Sequence, residues 1–258
     1  MKSARHVAHQ FKYDFKVFVR NPAAVGFAVI LPVIFLVLFV AIFKNESVKI
    51  SPGRTIRGST YYVSGILALG IMSATFVNLT IAMTISRERG ILKRLRATPL
   101  SPGVFLASRI LVSCTVALLL VVVLGVIGRV LYGVDLPTHT LPGVLATVIV
   151  GAVACSSLGL AVSSIIPSED AAPPIANFIA LPLYFVSGIF FPDVPKGLSN
   201  IAAIFPVRHL FLALREAWNP NTVGSGINAA HIGVLAAWGV FGLLVGTYGF
   251  RWTPKSSN

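Results

Sequence analysis

The sequence predicts an all-α integral membrane protein: an N-terminal interfacial amphipathic helix, six transmembrane helices, and a short re-entrant hairpin on the outer side between spans five and six. Three observations predict it. Of the 258 residues, 55% are hydrophobic and only 11% charged, whereas a soluble domain carries about 25% charged residues. Six apolar stretches recur along the chain, each near the roughly 20 residues that a spanning helix needs. The charge is lopsided, with 21 Lys and Arg against 8 Asp and Glu, and it gathers between the stretches. Collagen-like, disordered and disulfide-scaffold classes fail on this composition, and one membrane domain covers residues 1–258.

Residues 1–21 form the first element. At helical period Phe11, Phe15 and Phe18 share one face and Lys12, Lys16 and Arg20 another, the pattern of a helix lying in the headgroup plane with its cations in water. Ala23 to Phe43 follows, 21 residues without a charge, or roughly 32 Å of helix; Pro32 predicts a kink. The next spans are Tyr61–Ile85, Val104–Tyr132, Leu141–Ile166, Ile175–Phe191 and Ile227–Phe250. The fifth is short, starts after Pro173-Pro174 and contains Pro182. Residues 192–226 hold two amphipathic patterns: Leu198, Ile201, Ala202 and Phe205, then Leu210, Phe211, Leu214 and Trp218. Two short helices dipping back into the bilayer edge satisfy both.

Placing both termini in the cytoplasm puts 13 of the 21 Lys and Arg on the inner side, as the positive-inside rule requires. The expected location is the inner or plasma membrane, multi-pass. In this setting the net charge of +13 reads as lipid attraction and topology, with no nucleic-acid module to suggest otherwise. Cys114 and Cys155 sit inside apolar runs, so no disulfide framework or metal site is expected.

The acids argue about mechanism. Asp14, Glu46, Glu88, Asp135, Glu169, Asp170, Asp193 and Glu216 all fall in segment ends or loops. A carboxylate near the bilayer centre is the usual mark of proton or sodium coupling, and none is placed there. Paired-carboxylate membrane enzymes are disfavoured for the same reason, and no catalytic residue is assigned. Arg109, inside the third span, reads as a cation snorkelling to headgroups in preference to a substrate contact. Ser73, Thr75, Asn78 and Thr80 on the second span, with Ser187 near the end of the fifth, are candidates for lining a translocation path; helix-packing hydrogen bonds are the plainer use. The run from Gly53 to Thr60 has glycine spacing like a phosphate loop, but Ser59 stands where lysine is needed. Asn45-Glu46-Ser47 matches a glycosylation sequon of low specificity.

Residues 86–103 stand apart. They read as a cytoplasmic helix with Ile91, Leu92 and Leu95 along one stripe, basic residues around it, and Pro99 at its end. A headgroup anchor needs no acid, no Gly90 and no apolar stripe; a helix inserting into a groove on a partner protein uses all three. On that reading, Leu92 and Leu95 replaced by Asp would uncouple a partner while sparing insertion.

Here the sequence resembles the type-2 permease subunits of ATP-binding-cassette exporters, close to the daunorubicin-resistance kind. Arg87-Glu88-Arg89-Gly90-x-Leu92-x-x-Leu95-x-x-Thr98-Pro99-Leu100 is similar to that family's coupling-helix region, and the run from Pro182 to Pro192 with Phe205-Pro206 to its fifth span and outer hairpin. Ile91 departs from the threonine often met after the glycine. The resemblance implies a permease without a nucleotide site, energised by a separate ATPase subunit that carries the ATP and Mg. It implies that Arg87, Glu88, Arg89, Gly90, Leu92, Leu95, Thr98 and Pro99 couple to that subunit, and that a second permease chain, self or sister, completes the pathway. The expected cargo is an amphipathic or lipophilic drug, antibiotic or lipid. The alternatives are polysaccharide or lipid-linked glycan export, an ion-coupled transporter, or a scaffold that transports nothing.

Overall fold

A computed structural model describes residues 2–43, 45–51, 54–97 and 101–249. Helix α1 (Lys2–Val19) leads into a first apolar helix built of α2 (Pro22–Val25), one π turn (Gly26–Ile30) and α3 (Leu31–Ile42). Strands β1 (Ser47–Ser51) and β2 (Arg54–Arg57) then form an antiparallel hairpin, with Val48 opposite Ile56. This hairpin is a small addition to the otherwise helical fold that the sequence predicts: Val48 and Ile50 alternate at the strand period of two, and Ile56 opposite Val48 is buried. The second span runs unbroken over Gly58–Glu88 as α4 (Gly58–Met72), a π turn (Ser73–Val77) and α5 (Asn78–Glu88). It starts three residues earlier than its apolar run because the Asn45 side-chain oxygen accepts the Ser59 N–H at 2.8 Å, which satisfies one of the orphan donors of a helix start.

Short α6 (Ile91–Arg96) precedes α7 (Pro102–Tyr132), whose N-cap Ser101 accepts from Val104 N–H. Next come α8 (Leu141–Ile165), α9 (Ala172–Val186), α10 (Lys196–Ala202), α11 (Pro206–Trp218) and α12 (Ala229–Gly249). Among the described residues, four helices are long and apolar enough to cross a membrane, and up to five if the bent pair α10–α11 counts as one; Ala28–Ile42 and Ala172–Val186 are shorter apolar helices. The fifth predicted span is therefore shorter than its apolar run. Gly188 adopts φ +87°, a conformation that only glycine takes readily, and the chain turns off the helix axis. Ile189 and Phe190 fold inward, and the Tyr61 hydroxyl donates to the Gly188 carbonyl.

The core is arranged around α4 and α8. α12 packs along α8 with glycines at the contact: a Cβ on Gly242 would meet Leu158 N at 2.7 Å, and one on Gly246 would meet Leu160 Cγ at 2.9 Å. Backbone approach of this kind drives helix association in lipid, where apolar burial contributes little. Two short helices occupy the stretch 192–226. α10 and α11 are bent by 100° to each other, and Leu210, Phe211, Leu214 and Trp218 are all buried. Leu198 and Ile201 of α10 remain exposed. The His209 and His231 Nδ1 atoms lie 2.9 Å apart and join α11 to α12.

Candidate functional site

The segment after the second span is built from the inside out. Arg87 is fully buried. Its Nη1 donates to Ser163 O at 2.8 Å and its Nη2 to Ile166 O at 2.6 Å, while Nε donates to Glu88 Oε1 at 2.6 Å. Those carbonyls end α8, where a helix leaves acceptors unpaired and carries partial negative charge. A guanidinium meets both needs in one plane. Arg87 thus fastens the foot of the second span to the foot of the fourth.

Gly90 follows with φ +68° and ψ +11°. The left-handed residue stops α5 and lets α6 leave at a new angle. Leu92 is fully buried with Leu79, Met83, Phe105 and Leu160, and Leu95 and Leu106 pack against them. Of the apolar stripe, Leu92 and in part Leu95 are seated in the chain's own bundle while Ile91 is exposed, so Leu92 replaced by Asp would unseat α6 as well as any partner. Leu92 and Arg87 are inside; the outward face of the segment is Arg89, Ile91, Lys93 and Arg94, all exposed. The Arg89 Nε donates to Glu169 Oε2 at 2.8 Å, a pair with side chains 62% and 37% exposed. Thr98 and Pro99 lie outside the described residues.

The predicted path residues separate. Thr75 and Thr80 are fully buried and their hydroxyls donate to Ile71 O at 2.6 Å and Phe76 O at 2.7 Å. Thr80 also reaches Gly159 O at 3.1 Å, across to α8. Thr80 thus ties the second span to α8, and the Thr75 hydroxyl is taken up by its own span. Ser187 is buried at the turn after α9, its hydroxyl on Tyr184 O. Ser73 is half-buried, as is Asn78. Asn78 lines a cavity of ≈ 260 Å³ between α1, the second span and α7.

That cavity exposes what the sequence reading missed. Asp14 is 5% exposed. It accepts the Ser108 hydroxyl, accepts Gln10 Nε2 at 3.2 Å, and faces Arg109 Nη2 at 3.6 Å. Arg109 also lies over the Phe105 ring at 5.2 Å. It therefore belongs to a network with Asp14 and is no free snorkelling cation. The signal was present: Asp14 shares the helical face of Phe11, Phe15 and Phe18, an acid on an apolar stripe. Those three rings are half-buried, Phe11 stacked on Phe15, while Lys12, Lys16 and Arg20 are exposed. α1 thus has the two-faced character expected of it and packs on α7.

Residues 7–218 match the family described as "ABC-2 type transporter". A 107-residue stretch is 32% identical to "Nodulation protein J" of Rhizobium leguminosarum bv. viciae. The match spans 40% of each chain.

Proposed function

The chain belongs to the ABC-2 type transporter family, and from that premise we propose that it is the transmembrane half of an ATP-driven exporter. A separate ATPase subunit would bind ATP and Mg and dock on the segment 86–103. The observation that carries this reading is the division of that segment. Arg87 and Leu92 bind it to the second, third and fourth spans, while Arg89, Ile91, Lys93 and Arg94 are displayed outward. A push on the displayed face would be transmitted to three spans at once, because packed helices shift as bodies. Gly90 is the joint about which the segment would swing. The shorter apolar helices, Ala28–Ile42 and Ala172–Val186, complete six crossings on this reading. Both termini would be cytoplasmic, the phenylalanine face of α1 would lie in the inner headgroup layer, and a second permease chain would close the pathway.

The cargo we propose is amphipathic or lipophilic. The buried threonines of the second span are occupied by backbone carbonyls, which supports a cargo recognised by shape and apolar contact over one that needs a long polar track. The test reverses the displayed charge: Arg89→Glu, Lys93→Glu and Arg94→Glu together, in membranes that also contain the ATPase subunit. Loss of the exposed Arg89–Glu169 pair costs about 0–1 kcal/mol, and the other two exposed sites about 0.5 kcal/mol or less each, so yield and melting should stay near those of the parent. ATPase co-purification and cargo-stimulated hydrolysis should fall at least tenfold. Unchanged co-purification would overturn the docking assignment.

A further inference from the structure

The cavity beside Asp14 takes no part in the coupling just described. Its walls are mainly apolar, including Ala74, Ile81, Val112 and Val116, and Asp14, Asn21, Asn78, Arg109 and Ser113 supply the polar groups. Ala74 lies in the π turn of the second span and Asn78 is its C-cap; such turns are frequent at functional sites because they re-aim neighbouring side chains. Arg109 is under-satisfied here. Its ion pair to Asp14 is long at 3.6 Å, both Asp14 oxygens already accept other donors, and its Nε is buried with no hydrogen-bond acceptor among the described residues. A buried donor without an acceptor is costly, and a guanidinium with capacity to spare suits an oxyanion. Exposed Lys12, Lys16 and Arg20 on the same α1 raise the local concentration of anions.

We infer that this cavity binds an anionic amphiphile, its phosphate or carboxylate on Arg109 and its apolar body against Ala74, Ile81 and Val116. Two sources share this chemistry: a phospholipid of the surrounding leaflet held as a resident lipid, and an anionic cargo at its loading point. Only the second rests on the exporter reading.

Native mass spectrometry of the purified full chain, offered phosphatidylglycerol or phosphatidylcholine, tests the binding without any ATPase. Phosphatidylglycerol should be retained at least tenfold better than phosphatidylcholine. Arg109→Gln and the cavity-filling Ala82→Trp should each lower that retention at least tenfold, and Arg129→Gln at the other end of α7 should leave it unchanged. If Arg109→Gln does not fold, Ala82→Trp decides the matter. Equal retention of the two lipids, or retention untouched by Ala82→Trp, would overturn the site. Adding the ATPase subunit then separates the sources. Phosphatidylglycerol that raises hydrolysis in an Arg109-dependent way is acting as cargo, and binding without stimulation marks a resident lipid; both results support the site, and failure of the exporter reading would leave the binding result standing.

Discussion

The two ends of the helical bundle are held by opposite means. At the end carrying α6, buried charges make the joints: Arg87 on the α8 carbonyls, and Asp14 with Ser108 and Arg109. At the hairpin end, apolar fit does the same work, with α11 presenting Leu210, Phe211, Leu214 and Trp218 inward. That end also has an ion pair, Arg129 to Asp135 at 3.0 Å, closer than the 3.6 Å of Asp14 to Arg109. Yet its side chains are 54% and 65% exposed, where water and salt leave such a pair about 0–1 kcal/mol. Distance alone does not make a charge structural. Burial and the absence of an alternative partner do.

The strongest way to break this contrast is Arg87→Leu. It removes a buried guanidinium from Glu88 and from two carbonyls, and losing one partner of such a set costs about 3–5 kcal/mol. Purified yield and detergent melting temperature should fall steeply, more than for any single change at the hairpin end. Arg87→Lys should recover part of the loss, since one ammonium cannot serve both carbonyls in Arg87's geometry. A variant that melts like the parent would refute the role of Arg87 as a fastener. At the other end, Leu210→Ala removes a side chain that fills the space over Gly151, where a Cβ would sit 2.6 Å from Leu210 Cδ1. Leu→Ala costs about 2–5 kcal/mol in water-soluble cores, and the lower part of that range applies where lipid is the competing surroundings and apolar transfer contributes little. The same melting assay should rank it below Arg87→Leu, and the reverse order would mean that fit outweighs charge throughout.

Much of this arrangement was legible in the sequence, and the misses share a cause. Helix period placed the two faces of α1 and the inward face of α11, because each is a local pattern within one element. The β-hairpin was readable too, from alternation at Val48 and Ile50, but neighbouring basic residues masked it as loop. What local pattern could not reveal is which body an apolar stripe faces. Leu92 and Leu95 give the same periodicity whether they enter a partner's groove or their own bundle, and only contact with Met83, Phe105 and Leu160 decides. Arg87 is harder still. Its acceptors are backbone carbonyls 76 and 79 residues away, and a carbonyl leaves no mark in a sequence. The fifth span was read too long because its apolar character continues through Ile189 and Phe190, which are buried after a turn and not along a helix.

The smallest effect probes the joint between the fastened and the displayed parts. Gly90 holds φ +68°, and a Cβ built there would meet nothing within 4 Å. Space is therefore no obstacle to Gly90→Ala, and the whole penalty is conformational: an L-residue in the left-handed region costs about 1–2 kcal/mol. Melting should drop by a few degrees for Gly90→Ala and by less for Gly90→Asn, because asparagine tolerates this region better. The order glycine, asparagine, alanine is the diagnostic, since a purely steric role would rank the larger asparagine last. If hydrolysis by the proposed ATPase subunit follows the same order while Arg87 remains seated, the joint itself, and not the fastening below it, sets how freely the displayed face moves.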